Sequence, residues 1–456
     1  TRAIRLLLAN LKKPFSVVYA PPQDITEGVI QLVVQESVVG EVVVEGNQHF
    51  SDEQFTRWVR ANPGEPLNIE QAKADADWIS RNPFRSASLT VRRGAQPATT
   101  DLVIQTADRR TWRAFAGTNN TGTESTGEER FITGINSGNV WGLGHSASFQ
   151  FSADYDFKRS LSYSGNYSID LPWRHIVTAF ASYSETDADV PPPLNQTGEG
   201  LQGGLNYDIP LSPYKNLLHS VQLGFDYKKN DNSLLLALGV IDIPLVTSET
   251  EVLQWRIAYL PTWFDRWGST RLGGKFTYSP GDLTSKNDNE SFAQSRAFAE
   301  SEYFYVNLDI LRSTRLGGFM TGWDWNVRAE LQRATENLVG SEQFSAGGVN
   351  SVRGYEEGEA FGDNAILASQ ELYTPPWVIG RNFSRLFAFQ DYARVSSENK
   401  LPGENANNLH SLGIGLQYQF ATYLSLQASH GWQLRDSGSS SSGDSSRTHF
   451  SLTASY

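Results

Sequence analysis

The sequence predicts a mainly β fold, in which a 16-stranded antiparallel transmembrane β-barrel follows a small α+β region. Two observations favour a barrel. Apolar and polar residues alternate with a period of two, almost without interruption, from Trp112 to Tyr456. Mean hydropathy is −0.40, and no apolar run is long enough for a transmembrane helix. Both features agree with strands that alternate lipid-facing and lumen-facing residues.

The residues before the barrel predict an α+β module with the order β-α-α-β-β. The β-branched residues 38–44 predict its first strand. A capping-box spacing that begins at Ser51 opens one helix, and Asn68 caps a second helix. Two further strands follow at residues 86–92 and 101–105.

The barrel segments are apolar on one face and polar on the other, most clearly in residues 146–153, 220–228 and 410–420. A soluble β-sandwich would alternate in the same way with its apolar face inward. We favour a barrel because we count about sixteen segments of about 22 residues, connections included, which suits strands of about 9 to 11 residues. Gly, Ser, Gln and Asp also recur on the second face too often for a dry core.

Tryptophans near the predicted strand ends suit the two membrane interfaces. Residues 112–119 predict strand 1, which makes residues 339–362 the connection between strands 11 and 12 and the sixth outer loop. Long polar connections at 184–200, 282–296 and 436–447 predict further outer loops. The tryptophans concerned are Trp255, Trp263, Trp267, Trp323, Trp325 and Trp432.

The sixth predicted loop contains a glycine-rich stretch, residues 347–355, with an Arg-Gly-aromatic tip at Arg353, Gly354 and Tyr355. Glycines allow tight turns at positive φ, and we expect Gly347 and Gly348 to be the hinge of the loop. The guanidinium of Arg353 is a planar, permanently charged fork that suits a carboxylate. The segment therefore predicts a latch that closes on a distant acidic residue.

Several functional classes are disfavoured by composition. The net charge of −12 disfavours nucleic acid as a partner. The seven histidines show no metal-ligand spacing, and the sequence contains neither a P-loop nor a Gly-x-Ser-x-Gly motif. We predict no catalytic residue, metal or cofactor, and we expect Glu356, Glu357 and Glu359 to be solvated.

A set of motifs resembles the outer-membrane transporters of two-partner secretion. The motifs are Pro-Pro-Gln-Asp-Ile at 21–25, Arg-Asn-Pro-Phe at 81–84, Val-Arg-Gly-Tyr at 352–355 and Phe-Gln-Asp at 389–391. The resemblance covers nearly the whole chain. It implies a barrel in the Gram-negative outer membrane, preceded by periplasmic POTRA domains, which are small polypeptide-transport-associated modules.

The resemblance also implies the domain boundaries and the partners. Residues 1–36 would be the later part of a first POTRA domain, 37–110 the second and 111–456 the barrel, with loop 6 at about 339–363. A plug helix would precede residue 1, and we expect the numbering to begin inside the mature chain. The implied partners are an unfolded exoprotein such as a haemolysin, adhesin or toxin, outer-membrane lipid, periplasmic chaperones and the barrel-assembly machinery.

In this family the loop-6 arginine pairs with the aspartate of a Phe-x-Asp-x-Gly strand motif. Carried over, Arg353 pairs with Asp391, and Ala393 occupies the position of the family's glycine. The pair could equally be a structural brace. The site residues implied are the loop motif Val352, Arg353, Gly354 and Tyr355 and the barrel-wall motif Phe389 and Asp391.

Two other functions remain open. A membrane-protein insertase of the barrel-assembly type shares the loop motif. Five POTRA modules and an opening lateral seam would favour the insertase, and the truncated front of two modules argues against it. An outer-membrane lipase or protease would need a nucleophile and histidine set, which the sequence does not supply.

Overall fold

The structure is a computed structural model that describes residues 17–23, 25–26, 28–237, 242–437 and 445–456. Residues 1–16, 24 and 27 of the predicted first POTRA segment lie outside the described residues. The chain forms two compact units, one of residues up to Arg113 with 136–147 and one of 114–135 with 148–456.

The described residues of the first unit up to Asp108 form two small sheets and two helices. A three-stranded sheet has the order β3-β5-β4, in which β3 runs parallel to β5 and β4 runs antiparallel to it. The predicted β-α-α-β-β order is confirmed. The elements are β1 (Val17–Tyr19), β2 (Val33–Gln35), β3 (Val38–Glu45), α1 (Asp52–Thr56), α2 (Ile69–Ile79), β4 (Arg85–Arg93) and β5 (Thr99–Asp108).

Local sequence signals explain both helices. The Asn68 side chain accepts a hydrogen bond from the Gln71 backbone nitrogen at 3.0 Å, which satisfies one free donor at the start of α2. Ser51 and Gln54 form the predicted capping box of α1. This helix is only five residues long, and its buried Phe55 anchors it to the core of the module.

The carboxylate of Asp108, at the end of β5, fixes the turn after β3. It accepts hydrogen bonds from the backbone nitrogens of Gln48, His49 and Phe50 at 2.8–3.0 Å. Burial by itself raises the pKa of Asp108, but these backbone donors and the His49 side chain lower it, and the net pKa lies below the usual value.

We expect this turn to loosen at acid pH. Because the folded-state pKa of Asp108 is depressed, its stabilisation is present above the unfolded-state pKa and is lost as the pH falls through the folded value. The protection factors of the 48–50 amides, which are exchange rates corrected for the intrinsic pH dependence of exchange, should therefore fall at acid pH. Asp108→Asn should show fast exchange already at neutral pH, whereas slow exchange in that variant would contradict this role.

The strands from Trp112 onward form a closed antiparallel barrel of 16 strands, as predicted. Strand β24 closes the barrel against β6, with Ala454 opposite Ala116. The strands are β6 (Trp112–Asn119), β7 (Arg130–Val140), β8 (His145–Ala153), β9 (Ser160–Asp170), β10 (Ile176–Ala188), β11 (Leu194–Pro210), β12 (Leu217–Ala237), β13 (Asp242–Asp265), β14 (Gly268–Pro280), β15 (Glu302–Arg315), β16 (Asp324–Ala334), β19 (Asn364–Tyr373) continued by β20 (Trp377–Ile379), β21 (Asn382–Ser396), β22 (Asn407–Phe420), β23 (Leu424–Gln433) and β24 (Ser446–Ser455).

One wall strand is interrupted. Strands β19 and β20 both pair with β21, and Pro375 and Pro376 separate them. Proline lacks the backbone donor that a ladder requires, so the two pieces count as one strand with a break.

The two faces of the wall differ as the alternation predicts. Leu412 and Ile414 on β22 are 49% and 58% exposed, consistent with contact with lipid. Between them, Gly413 faces inward and lies beneath the ring of Phe389. Among the described residues, no helix combines the length and the apolar character needed to cross a membrane.

The predicted strand length of about 9 to 11 residues holds for strands such as β7, β9 and β24, but it was wrong for the longest strands, and one predicted loop was wrong. Strands β12 and β13 have 21 and 24 residues. Most of the predicted loop at 184–200 belongs to β10 and β11, which pair up to Ala188 opposite Gln196. Strands that continue beyond the lipid no longer need an apolar outer face. Residues 184–200 are therefore polar like a loop, although most of them belong to strands.

The other two predicted outer loops differ in outcome. The segment 282–296 is a connection, and it carries the short helix α3 (Asn289–Ser295). Of the segment 436–447, residues 438–444 lie outside the described residues, and Ser446 and Arg447 already belong to β24.

Candidate functional site

The candidate site is formed by the connection between β16 and β19, residues 335–363, which we call loop 6. A short hairpin of β17 (Phe344–Ala346) and β18 (Ala360–Gly362) forms its stem. Its tip, residues 347–359, contacts the inward faces of β19 and β21–β24. Loop 6 therefore folds back into the lumen.

Arg353, at the tip of loop 6, contacts Asp391 on β21 directly. Its Nε and Nη2 atoms donate to the two carboxylate oxygens of Asp391 at 2.8 and 2.9 Å, and its backbone nitrogen donates to Oδ2 at 3.1 Å. Asp391 is 0% exposed and Arg353 is 5% exposed. This bidentate, charge-assisted geometry fixes the orientation of the arginine as well as its position.

Two further wall groups complete the arginine pocket. Arg353 Nη1 donates to Glu371 Oε1 at 2.5 Å, and the hydroxyl of Tyr373 donates to the other oxygen of Glu371 at 2.9 Å. The guanidinium carbon lies 3.6 Å from the ring centroid of Phe389, in cation–π contact. One cation thus faces two carboxylates and an aromatic ring, and Lys could not reproduce this set of contacts.

Gly354 lies against the backbone of β23 at Gly431. A Cβ atom at residue 431 would lie 2.7 Å from the Gly354 nitrogen, so a larger residue does not fit without displacing the tip. The Gly354 nitrogen donates to His449 Nε2 at 3.2 Å, and Gln433 Nε2 donates to the Gly354 oxygen at 2.7 Å. The tip is therefore held by its backbone in addition to the arginine.

Val352 and Tyr355 flank the arginine and are fully buried. They pack in one apolar cluster with Ala393, and the hydroxyl of Tyr355 donates to the carbonyl oxygen of His410 at 3.0 Å. Ala393 is 0% exposed. The alanine at the family's glycine position is therefore accommodated, and Arg353 reaches Asp391 beside it.

The predicted hinge glycines form a tight turn. Gly347 and Gly348 have φ of +106° and +98°, a region that side chains with a Cβ rarely adopt. The carboxylate of Glu357 accepts a hydrogen bond from the Val349 nitrogen at 2.7 Å and occupies the space that a Cβ of Gly348 would need.

The loop-6 acids are hydrogen-bonded and only partly exposed, so the expectation of solvated residues was wrong. Glu356 accepts a hydrogen bond from the Glu124 nitrogen at 2.8 Å, and Glu359 accepts one from Ser437 at 2.5 Å. Together with Glu357, these acids brace the loop.

The part of loop 6 that precedes its hairpin, residues 335–343, is called the ascending arm, and it carries a second anchor at Glu342. This residue is 4% exposed, and one of its carboxylate oxygens accepts a hydrogen bond from Lys228 Nζ at 2.6 Å. Gln254 Nε2 and the hydroxyl of Tyr305 donate to its other oxygen at 3.0 Å each. Glu342 thus ties the loop to the lumenal faces of β12, β13 and β15.

A third anchor lies at the base of loop 6. Asp363 is 0% exposed and forms a bidentate pair with Arg296, with distances of 2.6 and 3.0 Å. The backbone nitrogens of Leu338 and Glu398 donate to the same carboxylate at 2.9 and 3.0 Å. The pair joins loop 6 to the neighbouring connections 281–301 and 397–406.

A polar cavity of about 390 Å³ opens beside the tip in the lumen. Its lining includes Arg271, Arg328, Arg353 and Glu371. Arg328 also holds the tip, because its Nη1 donates to the Asn350 carbonyl oxygen at 2.5 Å. The arrangement positions a loop within the lumen and places charged side chains beside it.

The sequence singled out the residues of the tip and Asp391, and the structure brings them together. It did not single out Glu371, Gly431, Glu342, Arg296 and Asp363, which also hold loop 6. Glu371 and Gly431 are found only through strand register, since Glu371 lies opposite Phe389 and Gly431 opposite Gly413. Their role in function stays a prediction.

A closed 16-stranded barrel with an arginine loop in its lumen and a β-α-α-β-β domain before it defines an outer-membrane barrel protein with a POTRA domain. The POTRA model, described as surface antigen variable number repeat, matches residues 37–106. The chain belongs to the haemolysin secretion/activation protein family ShlB/FhaC/HecB, whose model matches residues 98–418. It is therefore an outer-membrane member of the two-partner secretion transporters, a family in which the POTRA domain is periplasmic.

Individual relatives are distant. The chain is 25% identical over 186 residues to the outer membrane transporter CdiB-2 of Burkholderia pseudomallei, covering 40% of this chain and 31% of that protein. It is 21% identical to the heme/hemopexin transporter protein HuxB of Haemophilus influenzae, covering 88% and 71%. The solved structure of CdiB from Escherichia coli matches with a TM-score of 0.82 at 16% identity, covering 100% and 83%, and shows the same fold.

Proposed function

We propose that this chain exports one unfolded partner exoprotein through its barrel without nucleotide hydrolysis. The observation that carries this proposal is family membership across residues 98–418, combined with a loop that is fastened inside the lumen by buried ion pairs. Relatives of this chain are named as transporters, CdiB-2 as an outer membrane transporter and HuxB as a heme/hemopexin transporter. The exoprotein of this chain would be a haemolysin, adhesin or contact-dependent toxin.

Recognition would begin in the periplasm. We assign residues 1–36 to part of a first POTRA domain, 37–110 to a second and 111–456 to the barrel. The three-stranded sheet has β3 and β4 as its edges, and an edge strand accepts an extended polypeptide by backbone hydrogen bonding. Periplasmic chaperones would keep the exoprotein unfolded until it binds, and the barrel-assembly machinery would insert the transporter in the lipid.

Loop 6 would control the channel. Val352, Arg353, Gly354 and Tyr355 hold the tip against Phe389 and Asp391, and Gly347 and Gly348 set the turn that aims it. For a chain to pass, the tip must leave the wall or the channel beside it must widen. Folding of the exoprotein outside the cell would supply the driving force, because it prevents return of the chain.

The decisive experiment is deletion of the gene followed by comparison of secreted and outer-membrane proteins. We expect one large protein to disappear from the medium and to return when the wild-type gene is supplied. The purified chain should conduct ions in planar bilayers. Depletion of many outer-membrane barrels, with no specific secretion defect, would instead support the insertase function.

A further inference from the structure

The hairpin of β12 and β13 is the longest in the described part of the barrel, with strands of 21 and 24 residues. At about 3.3 Å per residue, β13 extends roughly 80 Å, whereas about 9 to 11 residues suffice to cross a bilayer. The excess lies at the end that carries loop 6. The hairpin therefore stands well clear of the membrane on the outer side.

One edge of this extension is open. Strand β12 pairs with β13 up to Ala237 opposite Asp242. On its other side, β13 pairs with β14 only from Trp255 opposite Tyr278 onward. Residues 242–254 of β13 therefore continue beyond their neighbour.

The backbone groups that face the open side can be identified. The Glu251 nitrogen donates to the Lys286 carbonyl oxygen at 2.9 Å, on the side away from β12. Because backbone groups alternate sides along a strand, those of Glu249 and Thr247 point the same way. Within the described ranges, these two residues have no backbone partner on that side.

The inward face of this extension is continuous with the wall of the lumen. Gln254, which contacts Glu342 of loop 6, is followed at a period of two by Thr250 and Ser248, both buried. The surface then becomes apolar. The exposed apolar residues at its outer end are Ile243, Leu245 and Val246, at 43%, 50% and 51% exposure.

A free backbone edge beside an apolar surface suits an extended polypeptide, which supplies both complementary hydrogen bonds and apolar side chains. Lipid supplies no such ladder. Pro244 has no donor, and a bulge lies opposite it at Leu234 and Leu235, so pairing would end there. The usable edge runs from residue 245 to 250.

We propose that this edge of β13, residues 245–250, pairs with the exported polypeptide as it leaves the lumen and templates its first β-strand outside the cell. The inference rests on the proposed export function, since continuity with the lumen places an emerging chain beside this edge. The occupant is a β-forming segment with alternating apolar residues. The edge would thus help to start the folding that drives export.

The test removes the edge donor and preserves the hairpin. Thr247→Pro deletes an N–H that points away from β12, and Thr247→Ala keeps that N–H as the matched control. The probe is the exoprotein lost from the medium of the deletion strain. Since one ordinary hydrogen bond corresponds to about fivefold in a binding constant, we expect Thr247→Pro to slow the appearance of protease-resistant exoprotein about fivefold. Thr247→Ala should match the wild type.

A cross-linking experiment tests the same contact even if the proline variant misfolds. The chain contains no cysteine, so Thr247→Cys can be paired with single cysteines in a stalled exoprotein, and we expect a disulfide between the two proteins. Wild-type export by a folded Thr247→Pro barrel, or disulfides only between two transporter chains, would overturn the inference. Normal secretion by the deletion strain would instead overturn the export function itself.

Discussion

Replacing Arg353 with alanine should lower secretion more than tenfold while the barrel still folds. The variant leaves Asp391 as a fully buried carboxylate whose bidentate partner is gone. Removing one partner of a buried ion pair costs about 3 to 5 kcal/mol. That cost is large enough to move the loop tip off the wall in most molecules.

Secretion should be measured together with barrel folding, which is read from the heat-dependent electrophoretic mobility of the outer-membrane protein. Arg271→Ala is the matched control. Arg271 lines the same cavity, but its side chain has no ion pair or hydrogen bond with the described residues. Arg353→Lys should remain defective, because an ammonium cannot reproduce the fork to Asp391 and the stack on Phe389. Normal export by Arg353→Ala at normal surface abundance would refute the latch.

The same experiment separates a latch from a brace. If the pair only braces the barrel, Arg353→Ala should lower the thermal unfolding midpoint and the surface abundance together with secretion. If the pair is a latch, secretion falls while both remain close to the wild type. Asp391→Asn keeps the side-chain volume and removes the charge, so it should follow the arginine variant in either case.

The fold could be predicted from the sequence because its main signal is local. Alternation with a period of two identifies barrel strands such as β22, and capping residues such as Asn68 identify helix starts. Strand length was harder to predict from the sequence. In β10 and β11, the residues beyond the lipid are polar on both faces, so nothing local distinguishes a continuing strand from a loop.

The contacts of the site depend on long-range pairing, strand register and the path of loop 6, which are harder to predict from a single sequence. The Arg353 and Asp391 pair came from resemblance to a family, because 38 residues separate the two. Glu371 and Gly431 are placed beside the tip by strand register. A register slip of one residue would move them to the other face of the barrel wall. The anchors at Glu342 and Asp363 depend on where loop 6 folds, and no local pattern encodes that path.

The anchors also predict which part of loop 6 would move during the proposed export. Asp363 and Glu342 hold its base and its ascending arm through buried pairs with Arg296 and Lys228. The tip beyond them is attached by Arg353 and by the wall contacts of Gly354, Tyr355 and Asn350. In the proposed export, release of the tip alone would therefore change the channel while the base stays in place.

Replacing Gly431 with valine should displace the tip without removing any charge. A Cβ at this position would lie 2.7 Å from the Gly354 nitrogen and 2.8 Å from the Arg353 carbonyl carbon. Overpacking of this kind costs about 1 to 3 kcal/mol. Valine suits a β-strand, so β23 itself should be retained. We expect higher single-channel conductance in planar bilayers and a severe loss of secretion.

Gly431→Ala should give an intermediate phenotype, because its single added carbon already meets the backbone of the tip. Gly340→Ala is the matched control, since Gly340 also lies in loop 6 but has open space where a Cβ would be added. Because Arg353 and Asp391 remain in the Gly431 variants, a shared phenotype with Arg353→Ala would show that the position of the tip matters, beyond the charge of the pair. Wild-type conductance and secretion in Gly431→Val would show that contact of the tip with β23 is dispensable.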